Sequence, residues 1–461
     1  MTEQGVRWTA DQVLALAPDA ASRTAGSKLG TPGPWSGAGC DGRAVWGLCR
    51  GSGSTPYRTV VDTEGPASSC SCPSRKFPCK HALGLLLLWA GDVEGAAVPA
   101  AGGVPDWAEG WLAARRERAE AARTGPAAGP ADPEAARRRA ERRAARITGG
   151  AQELEQRLAD LLRGGLASAE RAGYGPWEET AARMVDAQAP GLAARVRELG
   201  AIPGSGPGWP VRLLEECALT HLLDRAWLSA DRLPAPLAAT VRSRVGLTAP
   251  PQGPPLRDHW LVLAQYDTAD GRLTTRRIWL HGRDSGRTAL LLSFGAAGRA
   301  PELALPVGAV LDAGLRPYGS GGGVRAELVE RFGPPVPTGP PPEGTPVGAA
   351  LDAYGRALGE DPWLDSWPVT LASVVPARAE YGWQLADAEP PGPAPGEASG
   401  EAPEREAIPL TRAAQRQPGL WRLLALSGGA PVRVFGEIGH QGFTPLSAWS
   451  PEAPGETVPL V

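Results

Sequence analysis

The sequence of 461 residues has almost no lysine. Lys28, Lys76 and Lys80 are its three, so arginine supplies 44 of the 47 basic residues. With abundant Ala, Gly and Pro, this bias marks a high-GC genome such as an actinomycete's, and it lowers the weight of any Arg-rich or Pro-rich stretch. The six cysteines are unevenly spread, three of them within ten residues, which in a cytosolic chain suggests metal or catalysis and not a disulfide framework. Long apolar runs are missing as well. The longest, residues 82–90, falls far short of the ~20 residues that cross a bilayer, so no membrane partner is expected. No charged start followed by an apolar segment marks a secretory leader, and the expected address is the cytoplasm. There is no G-x-x-x-x-G-K-[ST], no H-E-x-x-H and no G-x-S-x-G. The Gly-rich run 319–323 lacks a following Lys and reads as a loop. His259, His281 and His440 are far apart in sequence and in predicted strands or a turn. The chain is therefore expected not to be an enzyme, with no catalytic residue and no organic-cofactor site. A net charge of −3 offers no general attraction to a polyanion.

The 42% hydrophobic content excludes a wholly disordered chain. The length predicts roughly two to four domains. Gly and Pro, 60 and 48 residues, imply many loops and linkers. In residues 1–30 one short helix is expected, capped by Thr9 and stopped at Pro18. Residues 30–42 read as a loop. Residues 44–49 and 56–62 read as two strands around a Gly-Ser turn, and residues 82–90 as an apolar helix ended by Gly91. Helices follow at 107–123, 134–146, 152–166, 177–188, 190–199, 211–228 and 234–245. Beyond a Pro-rich break come paired strands at 259–266 and 273–281 and a third at 289–294. A helix at 347–358 and a strand region at 367–385 follow. Residues 420–426 and 432–438 look like a hairpin around Ser427-Gly428-Gly429.

Three of the six cysteines and one of the five histidines fall within twelve residues: Cys70, Cys72, Cys79 and His81. The spacing is C-x-C, six residues, then C-x-H. In an extended segment Cys70 and Cys72 share a side, Pro73 and Pro78 bend the loop back, and Cys79 and His81 arrive at the start of the apolar helix. Zn²⁺ takes four N/S ligands in a tetrahedron. A full Cys₃His set leaves no open position, which points to one structural Zn²⁺ rather than a catalytic one. C-x-C alone would also suit a redox dithiol, and four buried residues need no metal, but the four-donor grouping favours zinc. Two strands, this knuckle and an apolar helix together resemble the SWIM zinc finger, over about residues 45–89. The resemblance implies that Cys70, Cys72, Cys79 and His81 are the metal ligands. It implies DNA binding or protein–protein contacts. It also implies an association with MoxR-type AAA ATPases and von Willebrand A-domain proteins, beside which bacterial proteins of this long type often sit. The rest of the chain carries no motif that suggests a family.

Other features are weaker. Arg75, Lys76 and Lys80 either contact phosphate or offset the thiolate charge on the metal; the second reading is favoured. Cys40 and Cys49 fit no metal spacing and read as small buried side chains, with a metal or redox role left open. Cys217 and His221 share a helix face and read as packing. Between Arg115 and Arg146 ten Arg stand against five acids. That stretch could bind nucleic acid, or be a solvated helix with i,i+4 pairs such as Glu134–Arg138. The 16 Trp read as core and interface residues, with Trp46 and Trp89 expected under the knuckle.

The expected fold is α+β: a small N-terminal ββα zinc finger, a mostly α-helical middle and a mixed helix–strand C-terminal region. The expected divisions are 1–98 (SWIM-type finger), 105–248 (helical, with the Arg-rich helix), 249–255 (linker), 256–332 (β-rich), 333–346 (linker), 347–387 (mixed), 388–407 (disordered linker) and 408–461 (C-terminal hairpin). The expected function is that of a zinc-binding interaction module or adaptor with a protein partner. The alternative is a DNA-binding protein using the basic knuckle and the Arg-rich helix.

Overall fold

The computed structural model describes residues 8–17, 20–51, 53–63, 67–74, 76–92, 94–101, 103–124, 132–247, 249–251, 253–269, 273–296, 301, 303–319, 323–333, 335–337, 339–380, 382–388 and 405–461. The chain is an α+β protein with strands and helices first, helices in the middle and a strand-rich C-terminal part. The expected disordered linker at 388–407 falls largely on 389–404, outside the described residues.

The N-terminal part is larger than a ββα finger. Helix α1 (Ala10–Ala15) opens on Thr9, whose hydroxyl accepts from the Gln12 amide while the Gln12 side chain accepts from the Thr9 amide, a capping box. A second helix, α2 (Ala20–Ser27), was not expected. Strands β1 (Trp35–Cys40), β2 (Ala44–Cys49), β3 (Tyr57–Asp62) and β4 (Ala67–Cys70) form one antiparallel sheet in that order. β1 lies in the stretch read as a loop. Its Gly39 is small enough for the Trp46 indole of the paired strand to lie across it, since a Cβ there would meet Nε1 at 3.0 Å. Helix α3 (Lys80–Gly91) is buried on nearly every side. It packs on Val45 and Val61 of the sheet and on Trp8, Val13 and Leu16. Its Gly84 lies against Leu29, where a Cβ would stand 2.5 Å from the Leu29 Cβ.

The other face of that sheet carries Ala44, Trp46 and Val60, which pack on Ala108 and Leu112 of α4 (Asp106–Thr124). Trp46 is therefore not under the knuckle. Alternation along β2 puts it on the opposite face from Val45, against α4. Trp89 is on the knuckle's side, edge-on to Trp8.

The middle is helical: α5 (Pro133–Gly164), α6 (Ala167–Ala172), α7 (Gly175–Asp186), α8 (Pro190–Ala201), α9 (Trp209–Leu228) and α10 (Ala235–Val245). The two helices expected across 134–166 are one. Gly149 and Gly150 do not break it, because Ile147, Ala151, Leu154 and Leu158 bury one continuous face. Gly150 also sits close to α7, where a Cβ would meet that of Ala187 at 2.6 Å. Trp363 of the C-terminal region inserts into this bundle core, its indole donating to Leu219 O at 2.9 Å.

Strands β5 (Leu256–Ala269), β6 (Leu273–Gly282), β7 (Thr288–Ala296), β8 (Ala309–Pro317), β9 (Ala326–Arg331) and β10 (Val336–Pro337) form a second sheet, ordered β10-β8-β5-β6-β7 with β9 on β8. β10 lies within the stretch read as the 333–346 linker and pairs with β8. Next come α11 (Val347–Glu360), β11 (Trp367–Ala379), β12 (Gly382–Asp387), β13 (Ala407–Pro409), α12 (Arg412–Arg416), α13 (Gly419–Ser427), β14 (Val432–Gly439), β15 (Gly442–Trp449) and β16 (Val458–Pro459). The third sheet runs β13-β12-β11-β14-β15-β16. Residues 420–426 are thus helix, not the first arm of a hairpin. Leu420 and Leu423 bury at helical spacing and Gly428, at φ +52°, ends the helix. The hairpin is β14–β15. Phe435, Leu446 and Trp449 of the third sheet share one core with Leu261, Leu263 and Trp279 of the second, so the two sheets pack together.

Candidate metal centre

The centre is built where the N-terminal sheet hands over to α3. β4 ends at Cys70, opposite Thr59 on β3. Ser71 adds one more rung: its amide donates to Arg58 O and its hydroxyl accepts from the Arg58 amide, both at 3.0 Å. Cys79 caps α3, its Sγ accepting from the Ala82 amide. That cap fixes His81 in the first turn of the helix, on its buried side. The Tyr57 ring lies over the imidazole with centroids 4.8 Å apart, limiting its rotation. Burial of α3 against the sheet therefore sets two of the four donors, and the end of the β-ladder sets the first.

One ligand atom from each of Cys70, Cys72, Cys79 and His81 lies within 4.8 Å of every other. The Cys70 Sγ and His81 Nδ1 are 3.7 Å apart. A zinc tetrahedron with bonds of about 2.0–2.3 Å has edges of roughly 3.5–3.8 Å, so the spacing suits one ion. The donor set, three thiols and an imidazole, suits Zn²⁺. The four are positioned to bind one metal ion, and the fold requires no rearrangement to bring them together.

The protein alone already favours a thiolate there. A hydrogen bond from Cys79 holds the Cys70 thiol down, to about 4, against the opposing effect of burial, with His81 and Thr59 helping. The Thr59 hydroxyl is 3.2 Å from the Cys70 Sγ. The same bond to Cys70, and then burial, push the Cys79 thiol up. Burial raises Cys72. Zinc binding would therefore release protons from this site.

Lys76 and Lys80 are exposed beside the knuckle, and Arg75 lies outside the described residues. Lys80 is close enough to the buried thiols to oppose the upward shift that burial and Cys70 impose on Cys49. Cys49 is fully buried behind the centre but does not join the four-donor group. Cys40 is buried and its thiol approaches Val98 O at 3.6 Å. Cys217 is core of the helical bundle, and burial pushes its thiol up to about 11. His221 is exposed and faces Glu155. Neither pair forms a metal group among the described residues.

A second cluster escaped the sequence because its parts are 25 residues apart: Asp258, His259 and Asp284. Here the buried Asp258 carboxylate already accepts three backbone amides, from His259, Asp284 and Ser285 at 2.6–3.0 Å. Burial would raise its carboxyl, but these bonds and the Ser285 hydroxyl hold it down. It braces the β6–β7 turn.

The SWIM zinc finger family model matches residues 57–90, the span from β3 through α3. The SWIM-associated four-helix bundle domain matches residues 142–245, from within α5 to the end of α10. The chain thus resembles SWIM-type zinc finger proteins in two segments, so the resemblance extends beyond the finger into the helical middle. No curated protein and no solved structure shows a significant match to the chain. The SWIM finger implies Zn²⁺, for which the Cys₃His cluster is positioned. The chain therefore carries a zinc-binding module of a kind that mediates protein or nucleic-acid interactions. Both matched families are non-catalytic modules. No helix among the described residues is long and apolar enough to cross a membrane.

Proposed function

We propose that the chain is a cytoplasmic, non-enzymatic adaptor. In this reading Cys70, Cys72, Cys79 and His81 ligate one structural Zn²⁺, and the zinc-stiffened N-terminal unit and the helical bundle present surfaces to a protein partner. The units we propose are a finger of about residues 1–98, a helical unit of about 105–248 and a strand-rich unit from about 256 onward. The observation that carries the protein-partner reading is the burial of α3. His81 through Leu86, Leu88 and Trp89 are all buried, so the helix that follows the knuckle has no free face to lay in a nucleic-acid groove. The outside of α9, by contrast, exposes Val211, Leu214 and Leu222 at helical spacing. A MoxR-type AAA ATPase system is the partner that the family resemblance suggests.

A DNA-binding reading keeps one specific support. The first turns of α5 have no fully buried residue among the described ones and expose Arg137, Arg138, Arg139 and Arg142. Glu141 and Glu134 pair with the first two, which leaves Arg139 and Arg142 to draw phosphate. Two experiments separate the readings. In the first, the zinc-loaded chain is mixed with the MoxR-type ATPase and the A-domain protein of the same genome, and complexes are sought by size-exclusion chromatography. In the second, its fluorescence anisotropy is followed with random duplex DNA across a salt series. The adaptor reading expects a stable protein complex and no DNA binding at low salt. Tight DNA binding falling linearly in log–log salt with a slope of several, with no protein complex, would replace it.

A further inference from the structure

Where the N-terminal unit meets the two C-terminal sheets, a half-open groove of 430 Å³ runs between Leu16 and Arg23 on one side and Tyr266, Arg276, Arg422 and Leu460 on the other. Its size is that of a small-molecule site, and such sites concentrate where units meet. Arg276 is not free to act there. Its side chain is 3% exposed, its Nε and Nη2 donate to both oxygens of Asp267 at 2.7 and 2.8 Å, and its Nη1 donates to the carbonyls of Leu303 and Pro301. Asp267 is thereby neutralised, and it is the one carboxylate side chain among the described lining residues.

Two guanidinium groups are left over. Arg422 donates to a backbone oxygen, that of Pro459. Arg23 has a buried Nε with no hydrogen-bond partner. A buried N–H without an acceptor is costly, and most costly when the group is charged. An anionic oxygen between the two would satisfy it and would be met from both sides, in the geometry that arginine offers to phosphate and carboxylate. The rest of the wall is not polar in the same way. Leu16 and Leu460 are buried hydrophobics, and Tyr266 has its hydroxyl committed to Glu437 at 2.9 Å, so it can offer a ligand its ring.

We propose that this groove binds a small organic anion, with a phosphate or carboxylate head between Arg23 and Arg422 and an apolar or aromatic body against the Tyr266 ring. Because the walls come from α1–α2, β5–β6 and α13, the bound anion ties the N-terminal unit to the rest of the chain. The inference is independent of the adaptor reading and of the metal.

The test is isothermal titration calorimetry on the full zinc-loaded chain with inorganic phosphate, phenyl phosphate and benzoate, at constant ionic strength set by chloride. One site per chain is expected, with an aromatic anion bound more tightly than inorganic phosphate. Phenyl phosphate above benzoate identifies a phosphate head, and the reverse order a carboxylate head. Arg23→Gln and Arg422→Gln should each weaken binding at least about tenfold while zinc content stays that of the parent. No saturable binding of any probe at millimolar concentration, or equal binding by the parent and both variants, would overturn the proposal.

Discussion

Asp224 offers a sharp test of the packing in the helical bundle. It lies on α9 with no exposed surface, and neither carboxylate oxygen has a hydrogen-bond donor. Burial first, and Glu155 second, push its carboxyl up to about 8, whereas an unfolded Asp titrates at about 3.9. The folded state therefore holds a proton that the unfolded state has lost. Its contribution is fully present below about pH 4, declines as pH rises, and is lost once pH passes through about 8. That interval corresponds to about 5 kcal/mol, as an order of magnitude. Asp224→Asn has the same shape and does not titrate. The assay is the difference between the variant and the parent, by thermal melts and by hydrogen exchange of peptides covering α9, from acid to mildly alkaline pH. Taking the difference removes the titrating groups that do not interact with Asp224. The variant should gain on the parent steadily with pH, by several kcal/mol over the interval, and then level off. A difference that stays flat with pH would refute the reasoning, because it would mean that Asp224 is ionised and compensated in the fold.

Two other substitutions probe the N-terminal unit. Gly84→Ala gains up to about 1 kcal/mol of helix propensity but forces a Cβ to 2.5 Å from that of Leu29, and overpacking costs about 1–3 kcal/mol; a lowered melting temperature of the N-terminal unit is expected, and an unchanged or raised one would show that Leu29 moves freely. Trp46→Ala removes a side chain that is 3% exposed between the sheet and α4, at a cost of about 3–5 kcal/mol; proteolysis should release α4 while zinc stays bound, and loss of zinc instead would place Trp46 under the knuckle after all.

The metal centre was the most legible part of the sequence because its chemistry is local. Four donors within twelve residues need one strand end, one bend and one helix start to converge. The helices of the middle were equally plain wherever apolar residues recur at helical spacing, as in α7 to α10. What the sequence hid was non-local. β1 is built of Trp, Ser, Gly, Ala and Cys, a poor strand former that exists because β2 pairs with it. α5 runs through two glycines because one continuous face of it is buried, and at Gly150 the close approach of Ala187 needs the small residue. Leu420–Leu426 has the composition of a strand or a helix alike, and the choice is made by burial of one face and the glycine that ends it. The groove beside Arg23 joins residues from both ends of the chain, which no local pattern announces.

Zinc also has less to do in this fold than a minimal finger would require. Residues such as Trp8, Val45, Leu83 and Leu86 give the N-terminal unit an apolar core of its own, although a structural site of this kind can still supply on the order of 10 kcal/mol. The measurement that tests the account most directly is zinc-edge X-ray absorption of the purified chain, together with its zinc content by mass spectrometry, for the parent and for Cys70→Ser, Cys72→Ser, Cys79→Ser and His81→Ala. The account predicts one zinc per chain with three sulfur neighbours at about 2.3 Å and one nitrogen at about 2.0 Å, and loss or remodelling of that shell in each variant. A chain that carries no zinc, or a zinc whose shell is the same in all four variants, would contradict it.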